Sequence, residues 1–273
     1  MRNTRGLVIG LASIVGTAIF FLVPFAFIFV IASKDLPQSN QLQFSWPQPF
    51  VLLDNVAHAL SNRDYVLVIA FINSFVLTAV AVSALVLFGA MVAYVWQRRR
   101  SRLNPLISIL VLAGLIVPPA VVPTIWVLQG LGLFKTMPGL ILVEIAYGLP
   151  FCILLFRAFI ATVPRELDEA AVVDGAGSVQ VFFRVIFPVL RSVMMTVIIL
   201  ETVAIYNTFQ SALYFLPGTP TVQLTLFNLQ SQFTTQFNLL FASILLVTIP
   251  PLIMFIFFNR KIVEGMAAGS VKG

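Results

Sequence analysis

From Leu7 to Ala32 the chain runs for 26 residues without a charged side chain. About 20 apolar residues in a helix cross the roughly 30 Å hydrocarbon core of a bilayer. The pattern recurs: charges gather in clusters, and the gaps at about 65–96, 105–128, 139–159, 192–215 and 237–258 are long and apolar enough to cross again. Each run is continuous instead of alternating every second residue, which favours helices over barrel strands. In lipid only those two architectures satisfy the backbone. Composition agrees, with 60% of residues hydrophobic and 10% charged, against about 25% charged in soluble domains. That excludes an ordinary soluble enzyme and a disordered chain. A disulfide scaffold is excluded too, because Cys152 is the single cysteine. The expectation is an all-α polytopic membrane protein: one transmembrane domain, 1–273, with six transmembrane helices. The first span exceeds the 7–15 residues of a signal-peptide core, so it reads as uncleaved. Pro118 and Pro119 in the third span, and Pro250 and Pro251 in the sixth, read as helix kinks.

Basic residues set the orientation. Arg2 and Arg5, the loop Arg98 to Arg102, the segment Arg157 to Arg191, and Arg260, Lys261 and Lys272 place 13 of the 16 on one side. Lys34, Arg63 and Lys135 are on the other. The positive-inside rule then predicts that both termini are cytoplasmic. This absorbs the net charge of +6, which would otherwise suggest nucleic acid. Three segments remain outside the spans: an outer loop, 33–64, with an amphipathic stretch from Val51 to Leu60; an inner segment, 160–190; and a C-terminal tail, 259–273.

The inner segment holds four of the ten acids, Glu166, Asp168, Glu169 and Asp174. An amphipathic hairpin lying on anionic lipid would not favour them; a docking surface for a soluble partner would. Local rules predict two short helices. Pro164 suits a first helical position and the acids suit the first turn. Leu167, Ala170, Ala171 and Asp174 follow helical spacing, and Gly175 supplies a stop. Ser178 can cap the next helix, in which Val181, Phe182, Val185 and Ile186 follow one face until Pro188 ends it.

Here the residues resemble a family. Glu169-Ala170-Ala171, three residues, Gly175, nine residues, then Val185-Ile186-Phe187-Pro188 resembles the EAA loop, EAA-x3-G-x9-I-x-L-P, of bacterial ABC importer permeases. The surrounding Pro164-to-Ala171 run and Asp174-Gly175-Ala176 are similar to the carbohydrate-uptake branch. So are Phe71-Ile72-Asn73-Ser74, Ala93-Tyr94, Pro118-Pro119 and the C-terminal run from Gly265 to Gly273, which looks like the tail of maltose-permease G-type subunits. The resemblance implies a non-catalytic permease subunit of a bacterial or archaeal plasma (inner) membrane. It implies three kinds of partner: a second permease subunit in a hetero-dimer, ATPase subunits, and an extracytoplasmic solute-binding protein. It implies no cofactor in this chain, since ATP and Mg belong to the ATPase. Glu169, Ala170, Ala171, Asp174, Gly175, Val181, Phe182, Val185 and Pro188 would couple to that ATPase, and the tail would touch it. Two features agree independently: the chain has no Gly-x-x-x-x-Gly-Lys-Ser/Thr loop, and no internal repeat that would complete a pathway within one chain.

Ionisable groups inside a span default to a functional reading. Glu201 stands near mid-span, and Tyr206, Asn207 and Gln210 follow at spacings that could share its side. Carboxylates, amides and an aromatic face suit sugar hydroxyls and rings; the competing reading is hydrogen-bonded packing against another helix. The relatives often have Trp-Asn where this chain has Tyr206-Asn207. Glu144, near the outer end of the fourth span, is a weaker candidate that could simply reach water, Tyr147 fits an interfacial or a functional role equally, and His58 reads as solvated or structural. No cluster has metal-ligand spacing, and no catalytic constellation is present. The expected cargo is a di- or oligosaccharide; alternatives are a glycerol phosphodiester, another polyol-like solute, or an ion-coupled carrier. Phosphate cargo calls for Arg or Lys in the pathway, and no span centre has one.

Overall fold

A computed structural model describes residues 4–232 and 236–270, with side chains at all of them except 4–9, 11, 12, 14, 232 and 259–270. Every regular element among the described residues is a helix. In order they are α1 (Thr4–Ala32), α2 (Leu36–Ser39), α3 (Leu52–Arg98), α4 (Asn104–Ile116), α5 (Val121–Gly130), α6 (Met137–Ile160) and α7 (Glu166–Val173). Then come α8 (Ser178–Gln180), a π-helical stretch (Val181–Ile186), α9 (Phe187–Val189), α10 (Arg191–Tyr206), α11 (Gln210–Phe215), α12 (Val222–Gln232) and α13 (Phe237–Ser270). Arg2, Lys272 and the end of the C-terminal motif lie outside the described residues; the backbone from Gly265 to Ser270 continues α13.

The chain is the all-helical membrane protein that its composition requires, but two predicted spans are not single rods. Among the described residues, four helical stretches are long and apolar enough to cross a membrane: Val15–Ala32, Leu52–Arg98, Met137–Ile160 and Phe237–Phe258. The count reaches six only if each of two bent pairs is one span. The stretch predicted at 105–128 folds as α4 and α5, whose axes meet at 119°. Pro118 and Pro119 explain the break: neither has an N–H to donate, and Val117 ahead of them is extended (ψ 122°). Pro123 is tolerated because it falls in the first turn of α5. Pro250 and Pro251, by contrast, lie within α13 without interrupting it. The stretch predicted at 192–215 is α10, a break at Asn207 to Phe209, and α11. α10 also meets the preceding Ser178–Val189 limb at 75°.

The chain divides into two compact units. The first comprises Met1–Ala70 and Thr225–Pro250. Its outer-loop part contains the predicted amphipathic stretch as the first limb of α3, which buries Asn55 and Ala59 beside half-buried Leu52 and Val56. That limb ends where Arg63, Asp64 and Tyr65 adopt left-handed φ values of 47°, 54° and 62°. Asn55 Nδ2 donates to the carbonyls of Ala32 and Lys34, both at 2.8 Å, satisfying the end of α1. Lys34 is fully buried, its Nζ donating to Gln43 O at 2.6 Å and Ser45 Oγ at 2.9 Å. His58 is exposed, and no group of acids, histidine and cysteine among the described residues could hold a metal.

The second unit comprises Phe71–Leu224 and Pro251–Gly273. Its core joins α3, α6 and α10 through residues such as Leu85, Ala90, Cys152, Phe156, Val193 and Val197. Small residues let these helices approach: a Cβ on Gly148 would stand 2.9 Å from Leu85 Cδ1 and 3.0 Å from Glu201 Oε2.

Candidate functional site

The second unit carries both groups of residues that the sequence singled out. The EAA segment is a helical hairpin. α7 begins at Glu166, so Pro164 lies before the helix and not at its first position. Glu166, Asp168 and Glu169 fill the first turn, at the positive end of the helix dipole. The C-terminus closes as a Schellman motif. Gly175 N donates to Val172 O at 3.0 Å, Ala176 N donates to Ala171 O at 2.9 Å, and Gly175 adopts φ +83°. Ser178 does not cap the second limb. Gly177 takes that position, and its N–H is met by Gln180 Oε1 at 3.1 Å. Pro188 sits in α9, one residue short of the limb's end at Val189.

The hairpin has an inner and an outer face. Val181, Phe182 and Ile186 are buried in the chain's own core, with Val185 half-buried, so they hold the hairpin to its own helices. The Phe182 ring lies 5.4 Å from that of Tyr94 and 5.6 Å from that of Phe187. Outward stand Glu169, Ala170, Asp174, Gly175 and Pro188, with Ala171 half-buried. Three exposed valines join them that sequence reasoning missed: Val172, Val173 (87% exposed) and Val179. For the first two the signal was an apolar pair, Val172-Val173, standing off the apolar stripe of α7. One acid is not part of this face. Asp168 turns inward, its Oδ2 2.9 Å from Arg98 Nε and its Oδ1 accepting from Tyr94 Oη at 2.8 Å.

The residues proposed for a pathway do not all meet. Glu201 is 7% exposed and lies in the core of α6 and α10, where Cys152 Sγ donates to its Oε1 at 3.5 Å. Asn207 and Gln210 are exposed, and Tyr206 is half-buried. Helical geometry and the break account for the separation: at about 100° per residue Asn207 falls about 120° around α10 from Glu201, and Gln210 lies beyond the break, at the start of α11. Asn207 ends α10, with its Nδ2 donating to Val203 O at 2.8 Å and its Oδ1 accepting from Gln223 Nε2 at 2.9 Å. The break after it is held from within. Glu144, 8% exposed and turned into the protein instead of reaching water, accepts from Thr208 Oγ1 at 3.0 Å. Tyr147 Oη stands 3.5 Å from Thr124 Oγ1. The outcome is a carboxylate pair inside the bundle and an amide pair, Asn207 with Gln223, outside it.

Both the hairpin and the α10–α11 break lie within residues 85–267, which match the family model described as binding-protein-dependent transport system inner membrane component. The chain belongs to this family. As a transport permease it is 29% identical over 269 residues to the melibiose/raffinose/stachyose import permease MelC of Bacillus subtilis (strain 168), covering 96% of this chain and 95% of that one. It is 32% identical over 240 residues to the multiple sugar-binding transport system permease MsmG of Streptococcus mutans (serotype c, strain ATCC 700610 / UA159), covering 84% of each. It is 29% identical over 261 residues to the diacetylchitobiose uptake permease NgcG of Streptomyces coelicolor (strain ATCC BAA-471 / A3(2) / M145), covering 93% of this chain and 85% of that one. The permease also has the fold of a chain in a crystal structure of a bacterial ABC transporter involved in import of the acidic polysaccharide alginate. There the TM-score is 0.80 at 19% identity, over 95% of this chain and 98% of that one.

Proposed function

We propose that this permease is one half of the translocation pathway of an ATP-driven, binding-protein-dependent importer for a sugar, a di- or oligosaccharide. The observation that carries the reading is the exposed face of the EAA hairpin. Glu169, Ala170, Val173, Asp174 and Gly175 stand outward on a short helix whose inner side is fixed to the bundle. Such a face fits a groove on an ATPase subunit: Glu169 offers a polar contact, the valines an apolar one, and Gly175 the sharp reversal. Closure of two ATPases on ATP would move the hairpin and switch the spans between inward-open and outward-open states. ATP and Mg then belong to that partner, and this chain carries no catalytic step. The outer loop, 33–64, serves as the face for the solute-binding protein, and a second permease subunit completes the pathway.

Sugar as cargo rests on the relatives and on side-chain chemistry. Asn207, Gln210 and Gln223 offer amide donors and acceptors, and Tyr206 an aromatic face. The stretch from 192 to 259 contains no Lys or Arg, which disfavours a phosphodiester. Glu201, inside the bundle, serves this reading as interhelical hydrogen bonding and not as a sugar contact.

The test is the importer assembled with its ATPase and binding protein in liposomes. Gly175→Asp should leave insertion intact while abolishing uptake and uncoupling hydrolysis from solute; uptake at the wild-type rate would refute the docking role. Asn207→Ala should weaken sugar uptake without changing ATPase assembly. Sugar transport by the purified chain alone would instead establish a secondary carrier.

A further inference from the structure

We propose that Asp168 is a positioning residue: with Arg98 and Tyr94 it latches the coupling helix α7 to the end of α3, so that displacement of the hairpin is delivered to α3 as well as to α10. The inference rests on the coupling role proposed above and deepens it. α7 has eight residues, too few for a helix that holds itself together in water. Its outward side is exposed, so its position depends on what grips it from within. The chain leads from the hairpin directly into α10. It provides no such link to α3, because α4, α5 and α6 intervene.

The geometry supplies that link. Tyr94 and Arg98 are four residues apart on α3 and therefore share one side of the helix. The two oxygens of Asp168 are divided between them, Oδ2 to Arg98 Nε at 2.9 Å and Oδ1 to Tyr94 Oη at 2.8 Å. The guanidinium then reaches past the carboxylate. Its Nη2 donates to Val163 O at 3.0 Å and Pro164 O at 3.3 Å, the carbonyls of the strand of chain that enters α7. One arginine thus holds both the first turn of α7 and the approach to it. The side chains are only 12% and 16% exposed, so water and salt screen the pair far less than an open surface bridge. Directly beneath, the Tyr94 ring packs on Phe182 of the other limb. Both limbs of the hairpin therefore register on the same turn of α3.

The test uses the importer assembled with its ATPase subunits and binding protein in proteoliposomes, and reads two quantities. One is stimulation of ATP hydrolysis by the binding protein; the other is amide exchange across residues 166–176. Asp168→Asn removes the ion pair but can keep the Tyr94 bond. It should reduce stimulation and raise exchange by about tenfold, a loss between that of an exposed and that of a buried ion pair. Tyr94→Phe keeps the ring on Phe182 and should give a smaller change of the same sign. Asp168→Glu should restore most of both. Co-elution of all subunits shows that the variants still assemble. If exchange and stimulation stay at wild-type values in Asp168→Asn while Gly175→Asp abolishes stimulation, the latch is refuted and the coupling role stands. If Gly175→Asp leaves stimulation intact, the coupling role itself fails. If exchange rises with stimulation unchanged, the contact is structural only and the positioning role is overturned.

Discussion

At the scale of single residues, the close contacts make sharp expectations. A methyl on Gly148 would press on Leu85 and the buried Glu201 at 2.9 and 3.0 Å. Gly148→Ala should therefore destabilise by about 1–3 kcal/mol through overpacking, read as a lower thermal midpoint in detergent. Gly175 differs: a Cβ there meets nothing within 4 Å, but φ is +83°. Gly175→Ala should lose about 1–2 kcal/mol to left-handed strain alone, and the exchange of the α7 amides would report it. Thr208→Val removes a donor from the buried Glu144 carboxylate and should lose about 1–3 kcal/mol, measurable by the same melting experiment. The sequence made Glu201 conspicuous, as an acid inside an apolar run. Which way it pointed was not legible: the spacing left a shared side with Asn207 and Gln210 open, and only the packing of α6 and α10 turns Glu201 inward while both amides stay exposed. The partners of Glu144 and Asp168 were not legible, since Thr208 and Arg98 are 64 and 70 positions away in the chain.

At the scale of elements, motif and turn chemistry found the hairpin because its determinants are local: acids in a first turn, a glycine reversal, and a second apolar stripe. The breaks were harder to read. A proline pair removes backbone donors at 118–119 and at 250–251 alike, yet only the first interrupts the helix. Loss of a hydrogen bond is written in the sequence; whether neighbouring helices make good the loss is decided by packing. The turn at 117–120 can be measured. Leu106 and Val127 are exposed on α4 and α5, and in one straight helix they would stand about 30 Å apart. Spin labels at Leu106→Cys and Val127→Cys should report a distance nearer about 20 Å; the longer value would mean an unbroken span.

At the scale of the whole molecule, the charge pattern predicts a topology that is open to a direct chemical test. Trp46→Cys, in the outer loop, should react with a membrane-impermeant maleimide applied to intact cells. Val173→Cys, on the hairpin, should react only after the inner membrane is permeabilised; labelling in the opposite order would invert the chain. The apolar arithmetic gave the class of protein because it is a sum over many residues; the sidedness predicted from the positive charges is what this labelling tests. The division into two compact units was not legible, since its boundaries fall inside α3, α12 and α13, and only the last coincides with a sequence signal, the pair Pro250-Pro251. These experiments gain from a feature with no place in the transport argument. Cys152 is the only cysteine of the chain, and it has no exposed surface, lying between Gly89 and Glu201. The native protein is thus a silent background for thiol chemistry. Any engineered cysteine on its surface becomes the sole reporter, and attachment of a maleimide at position 152 itself would register that the bundle has come apart.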